Sequence, residues 1–341
     1  MTRDEFRDAV FARDGRLCVI CKAPAADAHH VVERRCFGES GGYSLDNGAS
    51  LCPEHHLAAE RTILDCDTIR EAAGIKTVVL PEHLYPDEKY DKWTNIIMPD
   101  GSRVRGELFY DESVQKVLKE GGMFHLFKPY VKPARLFHFP WSNPNSDDRV
   151  LPNLSGVEKQ EVVASVKMDG EIVCCYRDHI HARSLEMLSG ADRTVMKAIW
   201  ATFAGDIPEN WRVVGENIFR KHSIHYHNLS TYFMIHGIWN ERNECLSWDE
   251  TVEWAALLGR KTVPVLYRGP WDEVRIRSMF QPAFDGDEME GYVVRVARRF
   301  NYSESRLVIG KFVKKNFNQM HGQRQQPIIK NELRAGVKIL D

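Results

Sequence analysis

The chain has 341 residues, of which 43% are hydrophobic and 28% charged, and its formal net charge is −2. This is an ordinary globular composition, long enough for two or more domains, and it excludes polyanion binding by overall charge. No stretch approaches the roughly 18 apolar residues of a membrane span, which predicts no membrane partner. The N-terminus MTRDEFRDAVFARDG lacks an apolar run, so we expect no secretory signal and a cytoplasmic location. A monomer is favoured, although the sequence leaves the oligomeric state open.

Cysteine and histidine are concentrated in residues 1–67, which we predict to be a separate module. The pairs Cys18-x-x-Cys21 and Cys52-x-x-His55 supply four side chains of the kind that bind Zn²⁺ tetrahedrally. Without a predicted secretory signal, this pattern favours a metal over disulfides. A module this small buries little core, so a structural zinc ion would be its main source of stability.

The same segment holds a second polar set, His29, His30, Asn47 and His56. This set resembles the HNH endonuclease, or ββα-metal, motif, in which such residues lie on a hairpin and a helix braced by zinc. The resemblance implies that His30 is the general base, that His29 and His56 hold a catalytic Mg²⁺ or Mn²⁺ ion, and that Asn47 fixes the hairpin at this metal site. The open alternative is a module that binds nucleic acid and cuts nothing.

Residues 68–132 form a predicted connecting region to which we assign no chemistry. Two pieces in it are typical of helices, TIREAAGI at 68–75 and DESVQKVLKEGG at 111–122. Loops such as YPDEKYDKW separate them.

Residues 133–341 are rich in predicted strands and indicate a domain of the α+β class. EVVASVKMDGEIVCCYRD predicts two strands joined as a hairpin at Asp169-Gly170. Further strands are predicted for WRVVGENIF, TYFMIHGIW, EGYVVRVA and RLVIGKFVK. SWDETVEWAALLG predicts a helix with Ser247 as N-cap, Glu250 completing a capping box and Gly259 just past its end.

Lys167 interrupts the first of these predicted strands, and other charged residues stand on or beside the later ones. Glu216 and Glu290 follow in the chain, and a basic segment without acids runs from Lys311 to Lys330. Lysines neutralise phosphate oxygens, and a glutamate can hold a hydrated Mg²⁺ ion. The pattern favours a phosphate site, with a salt-bridged lysine at a strand end as the structural alternative.

The segments KMDGE, GENIF, EGYVVR and GKFVKK, in this order, resemble the motifs of the covalent nucleotidyltransferase superfamily of ligases and mRNA capping enzymes. FHFPWS, SDDRVL, HARSLE and KHSIHY further resemble RNA ligases of the Deinococcus type. The resemblance covers residues 133–335. It implies an antiparallel-sheet nucleotidyltransferase domain, unrelated to the ATP-grasp fold, that uses ATP to join 3′-OH and 5′-phosphate ends of RNA.

The resemblance also implies a mechanism and a set of site residues. The Lys167 amine attacks the α-phosphorus of ATP, the AMP passes to a 5′-phosphate, and the 3′-OH displaces it. The implied ATP-binding residues are Lys167, Asp169, Gly170, Arg183, Glu216, Phe233, Glu290, Lys311 and Lys314.

Individual roles within that set follow from the same resemblance. Glu290 would hold Mg²⁺, and Phe233 would stack on adenine. Arg183 and Glu216 would contact the ribose or the α-phosphate region. Lys311 would contact the α-phosphate together with Lys314, although its neighbour Lys315 is the alternative.

The expected substrate is a nicked duplex of RNA or of an RNA/DNA hybrid. Two other functions stay open at this point. One is an HNH endonuclease whose ligase-like domain only binds nucleic acid, and the other is a DNA ligase.

Overall fold

The computed structural model describes the chain except for residues 41, 85, 146–147, 191–192, 316, 318–327 and 341. The described residues form two compact units, Met1–Val131 and Lys132–Asp341. Residues 68–131 fall within the first unit. No helix in the described part of the chain is long and apolar enough to cross a membrane.

The first unit begins with a helix and a ββα arrangement. These elements are α1 Arg3–Arg13, β1 Asp27–His30, β2 Gly48–Leu51 and α2 Pro53–Glu60. A capping box between Thr2 and Glu5 starts α1. Strands β1 and β2 pair antiparallel, with His29 opposite Ala49, and α2 follows directly with a proline in its first turn. This order places the two pairs of predicted zinc ligands on either side of one short hairpin.

The rest of the first unit adds two helices, a small sheet and an aromatic core, although the buried side chains of the first of these helices pack with the ββα segment. The elements are α3 Cys66–Ala72, β3 Lys89–Tyr90, β4 Ile96–Ile97, β5 Arg103–Val104 and α4 Glu112–Glu120. The sheet is antiparallel in the order β3-β4-β5. Both predicted helices of this region are confirmed, as α3 and α4. Trp93, Phe109 and Leu118 are among the side chains buried in its core.

The second unit contains two mainly antiparallel sheets. Its strands are β6 Phe137–His138, β7 Glu161–Val166, β8 Glu171–Cys175, β9 Ile180–His181, β10 Arg212–Asn217, β11 Phe233–Trp239, β12 Glu244–Cys245, β13 Lys261–Thr262, β14 Val265–Pro270, β15 Ala283–Phe284, β16 Asp287–Glu288, β17 Gly291–Val296, β18 Phe300–Asn301 and β19 Ile309–Val313. One sheet has the order β14-β7-β17-β19-β6. The other has seven strands, six in the order β18-β12-β11-β10-β8-β9 and β13 beside β11. Strands β15 and β16 pair separately.

The helices complete an α+β unit, as predicted. They are α5 Thr194–Ala201, α6 Trp248–Leu257, α7 Glu273–Arg277 and α8 Ser305–Val308. The capping prediction for α6 is confirmed, since Ser247 and Glu250 form the expected capping box. Gly259 adopts a φ of 64° just beyond the helix, where a left-handed residue ends it.

The predicted hairpin at Asp169-Gly170 is wrong, although both of its strands exist. Strand β7 pairs with β14 and β17 in the five-stranded sheet, whereas β8 pairs with β9 and β10 in the seven-stranded sheet. The segment KMDG therefore carries the chain from one sheet to the other. Long-range contacts of Asp169 and Gly170, described below, hold the chain in this crossing.

Candidate active site and candidate metal centre

The second unit has a cleft of about 2130 Å³ lined by residues of both sheets. Strands β7, β17 and β19 line it from one sheet, and β8, β10 and β11 from the other. Its lining residues include ten lysines and arginines against five acids, in a chain with a net charge of −2. A cleft with this excess of positive charge attracts polyanions. The basic residues are Lys132, Arg135, Lys167, Arg183, Arg193, Arg212, Arg220, Lys221, Arg295 and Lys311.

Lys167 enters this cleft immediately after β7 and meets Glu290. Its Nζ lies 2.6 Å from Oε1 of Glu290, a side chain with no solvent exposure. The backbone N–H of Lys167 donates to the carbonyl of Gly291, 3.0 Å away, which fixes the lysine beside the start of β17. A buried carboxylate is stable only with a partner, so the pair explains why a lysine interrupts an apolar strand.

Asp169 holds the crossing between the sheets. Its Oδ2 accepts hydrogen bonds from the backbone N–H groups of Ser223 and Ile224, each 2.7 Å long. Its own N–H donates to the hydroxyl of Tyr226, 2.9 Å away. Asp169 also lines the cleft but is 4% exposed, so the structure gives it a positioning part in this segment.

Gly170 lies where no side chain fits. A Cβ at this position would stand 2.5 Å from the carbonyl oxygen of Asn217 and 3.0 Å from Cγ of Glu216. The glycine thus allows the crossing segment to pack directly on β10. This close approach brings Glu216 and Lys167 to the same cleft.

The Gly170→Ala substitution is expected to lower the free energy of unfolding of the second unit by about 1–3 kcal/mol, because the backbone of β10 cannot yield without strain. Urea denaturation measures the change. Gly205→Ala is the matched control, since no atom lies within 4 Å of its Cβ position. An equal stability of the two variants would contradict the packing role of Gly170.

Lys311 belongs to a polar network that the sequence analysis missed. Its Nζ lies 3.3 Å from Oδ1 of Asp148, whose Oδ2 lies 3.2 Å from Nε2 of His138. Nδ1 of His138 is 2.7 Å from the hydroxyl of Ser142, which also accepts the N–H of Val313, 2.9 Å away. The segments FHFPWS and SDDRVL contain these residues, but nothing local in them shows that they meet.

The network shifts the pKa of its members. Burial lowers the pKa of Lys311 below its usual value. The positive charge of Lys167 lowers this pKa further, whereas the carboxylate of Asp148 raises it. Burial and the nearby Lys311 ammonium lower the pKa of His138 to about 4. Near neutral pH His138 is therefore neutral.

Stability should depend on the protonation of His138. Between pH 6.5 and about 4 an unfolded histidine binds a proton that the folded His138 does not bind, so the free energy of unfolding falls as pH falls through this range. We expect a smaller fall in His138→Gln, measured by urea denaturation across that range. The wild-type protein and His138→Gln share all other histidines. An identical fall of their free energies of unfolding would therefore contradict the lowered pKa of His138.

The remaining predicted ATP-binding residues divide into two groups. Glu216 lines the cleft, with Oε2 3.6 Å from Nε2 of His236, and the exposed Arg183 lies at the same cleft. Phe233 does not. It is fully buried, and its ring stacks on that of Phe203 with 6.0 Å between centroids.

The structure therefore does not place two of the expected ATP-binding residues at the cleft. Phe233 does not line the cleft because its side chain is fully buried in the core, whereas His236 and Trp239 of the same strand do line it. Lys314 is not among the residues that line the cleft, and its Nζ pairs with Glu288. Lys315 is exposed.

In the first unit, the four predicted zinc ligands come together. One donor atom from each lies within 4.8 Å of all the others. The separations are 3.7 Å between Sγ of Cys21 and Cys52, 3.7 Å from Sγ of Cys18 to Nδ1 of His55, and 3.2 Å from Sγ of Cys52 to the same nitrogen. Zn–S and Zn–N bonds in tetrahedral geometry place donors roughly 3.5–3.8 Å apart. The residues fit a zinc ion.

The pKa of Cys18 is shifted in the direction that favours metal binding. Burial raises the pKa of this thiol, but backbone N–H groups, first that of Cys21 and then that of Cys52, outweigh it and leave the pKa below its usual value. The thiolate is the form that binds metals.

A second cluster contains His29, His56 and a residue that sequence reasoning missed, Glu60. Oε1 of Glu60 lies 3.6 Å from Nδ1 of His29 and 3.5 Å from Nε2 of His56. His56 and Glu60 are four residues apart on α2, a spacing that could have revealed the pair. Lys92 also reaches this cluster, with Nζ 2.9 Å from the same oxygen of Glu60.

His30 and Asn47 do not join that cluster. The ring of His30 stacks on Phe6 at 4.5 Å and meets Tyr43 at 5.3 Å, and burial lowers its pKa to about 4. Asn47 donates to the carbonyls of Val32 and Gly42 and accepts the N–H of Val32. Its amide is thereby committed to the backbone, so Asn47 shapes the loop and is not a metal ligand.

Residues 160–313 match the family model described as RNA ligase. No curated protein sequence matches the chain. Solved structures of a Naegleria gruberi RNA ligase are similar over about half of this chain. An alanine mutant with ATP and Mn shows 18% identity and a TM-score of 0.35 over 54% of this chain and 61% of that chain. A form with PPi shows 19% identity and a TM-score of 0.36 over 55% and 61%. The segment matched by the RNA ligase model runs from β7 to β19 and carries Lys167, Glu290 and Lys311.

Proposed function

We propose that the chain is an ATP-dependent RNA ligase whose nucleophile is Lys167. The observation that carries this proposal is that Lys167 lines a basic cleft and pairs there with the buried carboxylate of Glu290. A nucleotide needs positive charge around its phosphates and a nucleophile aimed at one of them. The family match over 160–313 supports RNA as the nucleic acid.

The first step transfers AMP to the lysine. The Lys167 amine attacks the α-phosphorus of ATP, a P–N bond forms, and the bond from that phosphorus to the bridging oxygen of pyrophosphate breaks. The amine must be neutral to attack, and its contact with Glu290 holds it in place. Glu290 is the residue that would hold Mg²⁺, which neutralises phosphate charge when bound.

The neighbouring residues of the cleft would stabilise the phosphate. Lys311 reaches the cleft from β19 and gains a phosphate partner in place of Asp148. Gly170 packs the Lys167 segment on β10, and Asp169 ties the same segment to the backbone N–H groups of Ser223 and Ile224. AMP then passes from Lys167 to a 5′-phosphate, and a 3′-OH displaces it as the ends join.

The preferred substrate in this proposal is a nick in a duplex that contains RNA. The experiment has two readouts on the purified chain with Mg²⁺. α-³²P-labelled ATP should label the protein covalently, and nicks with RNA or DNA on each side should be sealed when the 3′-OH strand is RNA. Sealing of all-DNA nicks with equal rate would identify a DNA ligase. Absence of covalent labelling would overturn the proposal for ligase chemistry altogether.

The first unit would hold nucleic acid through its zinc-braced ββα segment. A second candidate activity, metal-dependent cleavage, is favoured by one observation, the meeting of His29 and His56 at one point. Incubation of single-stranded, nicked and duplex DNA and RNA with Mg²⁺ or Mn²⁺, without ATP, tests it. Cleavage that a His29→Ala variant lacks would support this activity.

A further inference from the structure

Lys92 is a buried cation at the His29, His56 and Glu60 cluster of the first unit. Its side chain is 5% exposed. The ammonium lies 2.9 Å from Oε1 of Glu60 and 3.6 Å from Oε2 of Glu33, and it donates to the carbonyl of His30, 3.2 Å away. Lys92 comes from the loop after β3, more than 30 residues beyond α2 in the chain.

The cluster otherwise has the composition of a metal site. Two imidazoles and a carboxylate converge, and Asp27 lies 3.8 Å from the second nitrogen of His56. His29 is 2% exposed, and neither of its ring nitrogens has a hydrogen-bond partner among the described residues. Buried polar atoms without partners are rare, which marks His29 as a donor arranged for a ligand.

Lys92 conflicts with a divalent ion at this place. Glu60 is the carboxylate within reach of both histidines, and its Oε1 already contacts the ammonium. A divalent ion bound to Glu60 would stand close to a buried like charge that has little water to screen it. Binding would therefore require that Lys92 leave Glu60.

We propose that Lys92 is the resident cation of this cluster and that the cluster binds Mn²⁺ only when Lys92 is displaced from Glu60. The cluster then holds the ammonium of Lys92 in place of a divalent ion, and it can support metal chemistry only after Lys92 has moved away. This inference concerns the first unit alone and stands whether or not the second unit ligates RNA.

The test is a titration of the zinc-loaded full chain with Mn²⁺ in the absence of nucleotide. The EPR signal of free Mn²⁺ measures how much of the ion is bound. Lys92→Met should gain a Mn²⁺ site that depends on His29 and that the wild-type protein lacks over the same range of Mn²⁺ concentration. Lys92→Arg, which keeps the charge, should gain none. The double variant with His29→Ala should lose the gained site, which separates it from Mn²⁺ bound in the second unit.

Two outcomes would overturn the proposal. One is a Lys92→Met protein that keeps its zinc and its circular dichroism spectrum yet gains no site. The other is His29-dependent Mn²⁺ binding in the wild-type protein as tight as in Lys92→Met. If Lys92→Met does not fold, wild type against His29→Ala still decides, because the proposal requires the two to bind Mn²⁺ equally.

Discussion

Lys167→Ala should lose covalent labelling by α-labelled ATP, with a fall in the rate of AMP transfer on the order of 10³-fold or more. The amine at this position is the proposed nucleophile, and its removal leaves the pathway without a first step. Lys311 on β19 also lines the cleft, but Asp148 holds its Nζ, so we do not expect it to replace Lys167 as the nucleophile. Denaturing gels of the labelled protein measure the result.

Two variants make this result specific to the nucleophile. Lys197→Ala removes an exposed lysine on α5 of the same unit and should label as the wild-type protein does. Lys167→Arg keeps the charge opposite Glu290 but cannot form the adduct, because a guanidinium stays protonated. Labelling that persists in Lys167→Ala or appears in Lys167→Arg would show that another residue accepts AMP.

The lysine site shows what a sequence pattern can and cannot predict. The apolar runs on both sides of KMDG predicted β7 and β8, because strand propensity is a local property. Their partners could not be predicted in the same way. The crossing depends on Asp169 bonding to Ser223 and Ile224 and on Gly170 packing against Asn217, contacts that span about 50 residues of chain.

The sequence also did not predict which side chains of strand β11 face the cleft. The resemblance placed Phe233 at the adenine because the aromatic residue stands on the right strand. The fold puts Phe233 in the core and both His236 and Trp239 in the cleft. A register shift between β10 and β11 lies beside His236, so the period of two along the sequence does not predict which residues of β11 face the cleft. No local sequence pattern predicts that His138 and Asp148 meet Lys311, because these residues come together only through the order of the strands and loops in the fold.

The first unit repeats this contrast between local and distant contacts. The two-residue spacing of each Cys/His pair predicted that the four donors meet, since such a spacing brings both donors of a pair to one point. The approach of Lys92 to Glu60 joins a loop and a helix with no shared motif, and only the folded chain reveals it.

The largest effect on stability is expected from loss of zinc. A structural zinc ion contributes about 10 kcal/mol or more in small modules, as much as the whole free energy of unfolding of many domains. Cys18 and Cys52 are also buried members of the hydrophobic core that contains Val31, Leu51 and Ile69. We therefore expect Cys18→Ser to release zinc and to unfold this core, with faster proteolysis of the first unit.

Cys36→Ser provides the control in the same unit. Cys36 lies outside the cluster, with its Sγ 3.8 Å from the hydroxyl of Thr94, and a serine keeps that polar contact. This variant should retain zinc and resist protease as the wild-type protein does. Zinc content by atomic absorption and limited proteolysis measure both variants together. A Cys18→Ser protein with full zinc content and unchanged proteolysis would mean that the four donors meet without holding a metal, and that hydrophobic packing alone stabilises the ββα segment.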